Sequence, residues 1–185
     1  CRDTTMGLTP LDGLMMGTRC GAIDPAIVPF LMDHENLDAQ GVNDLMNKKS
    51  GLLGISGISN DLRGVRTASE EGDERAQLAY EMYSHSVKKY IGQYIAVMGG
   101  VDAIVLTAGV GENCDKMRRL IFGGLQPLGI VLDEKRNSTR GGERIISTDD
   151  SEVAILIIPT NEEYMIARDT YQLVKEGTLE ITELV

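Results

Sequence analysis

Between Thr107 and Asn113 the chain reads TAGVGEN, directly after the apolar run AIVL at 103–106. Gly109 and Gly111 would let the backbone approach a ligand, and a helix starting there would present unpaired N–H groups to an anion. The chemistry this suits is phosphate binding. It is not a Walker A loop, since no Gly-Lys-Ser/Thr follows, and it lacks the third glycine of the dinucleotide fingerprint. On local grounds a tight turn over Gly109 to Asn113 explains the pattern equally well.

A second feature, Pro159-Thr160-Asn161-Glu162-Glu163, follows the apolar run Val153 to Ile158. Thr160 and Glu163 have the spacing of a capping box, which leaves Glu162 free. A free carboxylate at the carboxyl end of a strand suits Mg²⁺, which takes one or two carboxylates plus waters and phosphate oxygens. A first-turn glutamate favoured by the helix dipole is the simpler local alternative. The third feature is Arg19, between Gly17 and Gly21. Its planar fork of donors suits a phosphoryl or carboxylate group, although a surface arginine in a loop fits the local pattern better. His34 and His85 have no partners suggesting a triad and read as surface or helix-face residues.

These positions need elements to hold them. Thr9-Pro10-Leu11-Asp12 has the signals of a short helix start, closed by Gly17. Asp24-Pro25 repeats the device before Ala26 to Met32, and Asp38 caps a helix reaching Lys49. Gly51 to Asn60 is glycine- and serine-rich and reads as a loop. The spacing of Ala76, Ala79, Tyr83, Val87, Tyr90 or Ile91, Tyr94 and Met98 predicts one long helix over 73–98, its apolar stripe serving as core. Ala103 to Leu106 is a buried strand and Asp115 to Phe122 a helix, with the basic run Lys116 to Arg119 as its solvated face. Ile130 to Leu132 is a further strand. Arg144 to Ser147 and Val153 to Ile158 form a hairpin, and Glu162 to Val174 a last helix. Interleaved strands and helices place the chain in the α/β class with a mixed sheet.

Composition bounds the function. The chain has 185 residues, the length of one domain with a real core, and a formal net charge of −10. That charge argues against a nucleic-acid surface, which needs a basic footprint. Two Phe, six Tyr and no Trp leave Met and the aliphatics to fill the interior. Cys1, Cys20 and Cys114 are odd in number and widely spaced, so a reducing, cytoplasmic compartment is the expected setting. No apolar stretch reaches membrane-spanning length. A start at Cys1 rather than Met hints at a fragment.

Five blocks in order resemble the acetate kinase family. They are Asp3 to Arg19 (DTTMGLTPLDGLMMGTR), Asn47 to Gly51 (NKKSG), Ser59 to Arg63 (SNDLR), Thr107 to Asn113 (TAGVGEN) and Pro159 to Glu163 (PTNEE). The resemblance covers essentially the whole chain. It implies a ribonuclease-H-like domain of the actin/Hsc70/sugar-kinase superfamily, a mixed β-sheet flanked by helices. It further implies reversible transfer of the ATP γ-phosphoryl group to acetate, giving acetyl phosphate and ADP with Mg²⁺. By matching motif, Arg19 would stabilise the transferring phosphoryl group. Asp61, Leu62 and Arg63 would border the adenosine, Gly109, Val110, Gly111, Glu112 and Asn113 would line the nucleotide, and Glu162 would help hold Mg²⁺.

In that family an N-terminal domain carries a metal-site Asn, a substrate Arg, the proposed catalytic Asp and an assisting His, with a His-Leu-Gly-x-Gly loop. Residues 1–185 contain none of these, so the expectation is the C-terminal nucleotide-binding domain of a two-domain kinase. The alternatives are the same part of a propionate or butyrate kinase, or a stand-alone nucleotide-binding module without turnover. The expected partners are the chain's own N-terminal domain and a second copy in a homodimer.

Overall fold

A computed structural model of the chain describes residues 1–175. The helices are α1 (Ile27–Glu35), α2 (Ala39–Lys48), α3 (Gly51–Ser56), α4 (Leu62–Glu70), α5 (Glu74–Met98), α6 (Ala108–Asn113), α7 (Asp115–Phe122), α8 (Glu134–Asn137) and α9 (Glu162–Lys175). The strands are β1 (Ala103–Leu106), β2 (Arg144–Ile145) and β3 (Ala154–Ile157). They make a mixed sheet in the order β1-β3-β2, with β1 parallel and β2 antiparallel to β3.

The sheet's two faces differ. Ile155 and Ile157 are 0% exposed and share one core with α7 residues Met117, Ile121 and Phe122, against which Ile104 and Leu106 of β1 also pack as partly buried members. The helical layer of α3, α4, α5 and α7 closes this core, with Val65, Ala76 and Ala79 also at 0%. On the opposite face, register aligns Val105, Leu156 and Ile145 in one row across the three strands. Val105 is 48% and Ile145 54% exposed. α9 buries no residue.

Most elements form where local signals place them. Asp38, Asp61 and Asp73 accept N–H groups of the first turns of α2, α4 and α5. On α5 the seam is Ala76, Ala79, Tyr83, Val87, Ile91 and Ile95, so Ile91 rather than Tyr90 continues the stripe, and Met98 lies outside it at 53% exposed.

Five expectations are corrected. Thr9 to Gly17 is not a helix: the Thr9 hydroxyl accepts the Leu11 N–H, and Leu8 is fully exposed. Only Met15 of this segment reaches the core, too little apolar contact to offset the cost of nucleating a helix. Gly51 to Ser56 is a helix rather than a loop, because the Leu52 and Leu53 N–H groups are taken up by the Met16 and Gly17 carbonyls. Ile130 to Leu132 contributes only an isolated bridge, Leu132 to Ser147. Arg118 leaves the solvated face expected of Lys116 to Arg119 and is 2% exposed. The capping box at Thr160 does not form. Asn161 caps α9 instead, its Oδ1 accepting the Tyr164 N–H at 3.1 Å.

Candidate nucleotide site

α6 follows β1 and the PTNEE segment follows β3. Since β1 and β3 are adjacent and parallel, both motifs sit at the carboxyl ends of neighbouring strands, where α/β sheets bind ligands. The two are joined directly: the Thr160 N–H donates to Glu112 Oε1 at 3.1 Å.

Gly109 to Asn113, read as a turn on local grounds, is the body of α6. The chain enters it through Ala108 at φ 59°, a left-handed conformation that a residue with a Cβ adopts at some cost. The two glycines have different reasons. A Cβ on Gly111 would stand 3.3 Å from the Leu106 Cβ, so this glycine serves helix-to-strand packing. A Cβ on Gly109 would meet nothing within 4 Å, because Gly109 faces a cleft.

That cleft has a volume of about 540 Å³. Asp61, Leu62 and Arg63 form one wall, and Gly109, Val110 and Asn113 the other. Two blocks distant in sequence thus meet across one cavity. Asp61 is held by Arg63, whose Nη2 stands 2.7 Å from Oδ2, and this guanidinium keeps the Asp61 carboxyl below its ordinary range.

The other blocks assemble through the backbone. The Thr18 hydroxyl donates to the Asn47 carbonyl at 2.8 Å, and the Ser50 N–H donates to the Thr18 carbonyl. Gly51, at φ +63°, leaves room for the Met16 carbonyl, which would lie 2.1 Å from an added Cβ. Gly17 abuts the Asn60 carbonyl in the same way, so the Arg19 segment leans on the residue preceding Asp61. Arg19 is partly exposed and does not line the cleft. Gly111, Glu112 and Glu162 do not line it either, although Glu112 borders a smaller adjoining cavity.

Residues 1–168 match the acetokinase family. The chain belongs to that family. It is 61% identical over 173 residues to an acetate kinase of Halothermothrix orenii, and 57% identical over 173 residues to one of Methanosarcina barkeri. Each alignment covers 94% of this chain, but 44% and 42% of the relative, so the chain spans less than half their length. A crystal structure of Porphyromonas gingivalis acetate kinase superposes with a TM-score of 0.87 at 50% identity, over 92% of this chain and 43% of that one. A propionate kinase of Francisella tularensis superposes at 0.84 and 44% identity, over 90% and 42%. The fold is that of the actin/Hsc70/sugar-kinase group, an α/β domain with a mixed sheet flanked by helices.

Three cleft residues of this acetokinase chain escaped sequence reasoning: Arg66, Cys114 and Arg140. Arg66 lies one helical turn after Arg63, a spacing that could have flagged it. Cys114 directly follows the GVGEN block, and its Sγ stands 3.1 Å from the Tyr80 hydroxyl. Burial and that thiol push the Tyr80 hydroxyl far above its ordinary value, so it stays protonated. No pattern around Arg140 marks it.

Behind α6 sits Arg118. Its Nε and Nη2 donate to Asn137 Oδ1 and O, each at 2.7 Å, and its Nη1 donates to Gly111 O at 2.8 Å and Glu112 O at 3.1 Å. A buried cation thus caps the carboxyl end of α6 and fixes the cleft wall. No helix among the described residues is long and apolar enough to cross a membrane.

Proposed function

We propose that residues 1–185 are the C-terminal, nucleotide-binding domain of a two-domain cytoplasmic kinase that transfers the ATP γ-phosphoryl group to acetate, reversibly. The observation that carries this reading is the cleft between Asp61–Arg63 and Gly109–Asn113, at the carboxyl ends of parallel strands in an acetokinase chain. In the forward direction an acetate carboxylate oxygen bonds to the γ-phosphorus and the bond to the bridging oxygen breaks. Acetyl phosphate and ADP leave, with no net proton transfer. Such a reaction depends on positioning and charge neutralisation rather than on a covalent protein nucleophile.

In this reading Asp61, Leu62 and Arg63 border the adenosine, and Gly109 admits it close to the backbone. Arg19 stabilises the phosphoryl group in flight. Glu162 would hold Mg²⁺, which neutralises phosphate charge when bound. The residues present fit that ion. Glu162 is exposed, makes no ion pair among the described residues, and lies two positions after Thr160, the partner of Glu112. Among the described residues no group of three or more candidate ligands exists, so the ion's other ligands would have to come from phosphate and water. Acetate is favoured over propionate by the relatives at 61% and 57% identity, both acetate kinases. A homodimer is also part of this reading, supported by Leu78 and Met82, one turn apart on the outer side of α5 and 50% and 42% exposed.

The test is acetyl phosphate formation by the whole protein containing this chain, with acetate, propionate and butyrate compared. Acetate should give the highest kcat/KM. Arg19→Ala should lower kcat roughly 10²-fold, as loss of one preorganised donor does elsewhere. Normal turnover by that variant, or preference for a longer acid, would refute the corresponding assignment. Sedimentation of a monomer across the micromolar range would refute the dimer.

A further inference from the structure

We propose that Arg140 is a phosphate-binding residue of the cleft, placed to grip the charged end of a nucleotide lying between Asp61 and Gly109; this rests on the nucleotide reading above. Three arginines line that cavity, and two of them stand beside an acid. Arg63 is spent on Asp61 through Nε at 3.0 Å and Nη2 at 2.7 Å. Arg66 pairs only loosely with Glu70, its buried Nε 3.7 Å from Oε1 and without a hydrogen bond. Arg140 is exposed and makes no ion pair among the described residues, so its full charge is available to a ligand.

The loop that carries it is anchored on both sides. Before it, Arg118 holds Asn137. After it, Arg144 donates through Nη1 to Gly141 O at 2.7 Å and Gly142 O at 3.0 Å. The same two arginines reach the carboxyl end of α6, since Arg144 Nη2 donates to Glu112 O at 3.3 Å and Arg118 to Gly111 O and Glu112 O. The Arg140 loop and the cleft-lining helix are therefore one cross-linked unit. Arg140, with Asn113, stands where the 540 Å³ cleft adjoins a cavity of about 140 Å³ bordered by the Ser138 to Gly141 loop. A guanidinium on an anchored loop, facing a cavity and in no ion pair among the described residues although Glu112 and Asp115 border the smaller cavity, suits bidentate recognition of phosphate oxygens.

The test is calorimetric titration of the whole protein containing this chain, and of its Arg140→Gln and Arg140→Lys variants, with ADP and with adenosine, at low and high salt. Arg140→Gln should weaken ADP about tenfold and adenosine less than about twofold, because one charge-assisted contact to phosphate is lost. Arg140→Lys should fall between, and the ADP difference should shrink at high salt. Unchanged ADP binding in Arg140→Gln would overturn the proposal. So would an equal loss for adenosine, which would mean stacking on the base. If the unaltered whole protein binds neither compound at millimolar concentration, the nucleotide reading itself falls and takes this inference with it.

Discussion

Replacing Arg118 by Met should destabilise the chain far more than the same change at its near neighbour Lys116. Arg118 is 2% exposed, and its guanidinium serves four oxygens without a carboxylate partner. Met fills much of the same volume but donates nothing. Both oxygens on Asn137, itself 0% exposed, lose this donor, and a buried acceptor left without a partner costs about 1–3 kcal/mol. Glu112 O keeps Arg144, so its loss is smaller. Removing a buried cation returns part of the deficit, since Met needs no hydration. The net expectation is a loss of about 2–4 kcal/mol. Lys116 makes a solvated pair with Glu70 at 2.6 Å, its side chain 49% exposed, and Lys116→Met should cost no more than about 1 kcal/mol. Urea unfolding followed by circular dichroism measures both, with m expected unchanged. A loss at Arg118 below about 1 kcal/mol, or one no larger than at Lys116, would refute the reasoning.

Asn161→Ala should expose the Tyr164 amide to hydrogen exchange, whereas Glu163→Ala should not; equal effects would reject Asn161 as the cap. Gly51→Ala should prevent or severely weaken folding, since its Cβ would overlap the Met16 carbonyl, while Gly124→Ala, also at positive φ but with open space, should cost about 1 kcal/mol. Thermal melts of the two variants test that contrast. Asp61 is the pH-sensitive cap: its pKa is depressed by Arg63, so its stabilisation of α4 is full above the ordinary value of 3.8 and is lost as pH falls through the depressed one. A carbon-detected titration should show Asp61 moving back toward 3.8 in Arg63→Ala, and no movement would disprove the coupling. By itself the chain should bind ATP weakly, shift the amide resonances of Gly109 to Asn113 and form no acetyl phosphate, because an open cleft leaves much of a ligand in water. Robust synthesis by the chain alone would contradict that account.

How far the sequence reaches depends on the range of the interaction. The limits of α7 and the cap at Asp38 follow from neighbouring residues, and so were legible. Helix α3 was not, because its first N–H groups find their acceptors in Met16 and Gly17, far away in the chain. Arg118 looked solvated inside a basic run because nothing local reveals that Asn137 waits for it 19 residues later. In the site, the motif blocks announced Asp61 to Arg63 and Gly109 to Asn113, and the fold brought them to one cleft. Arg140 had no such pattern, since its loop is oriented by Arg144, whose bond to Glu112 O spans 32 residues.

The uncovered row Val105, Leu156 and Ile145 also bears on how the chain responds to temperature. Apolar surface already wet in the folded state adds nothing to the heat capacity released on unfolding, and α9, with no buried residue, adds as little. A typical chain gains about 12–15 cal/mol/K per residue, and this one should fall below that range. Its stability curve should then be a low, broad dome, changing little between cold and warm, until the bare face of the sheet is covered.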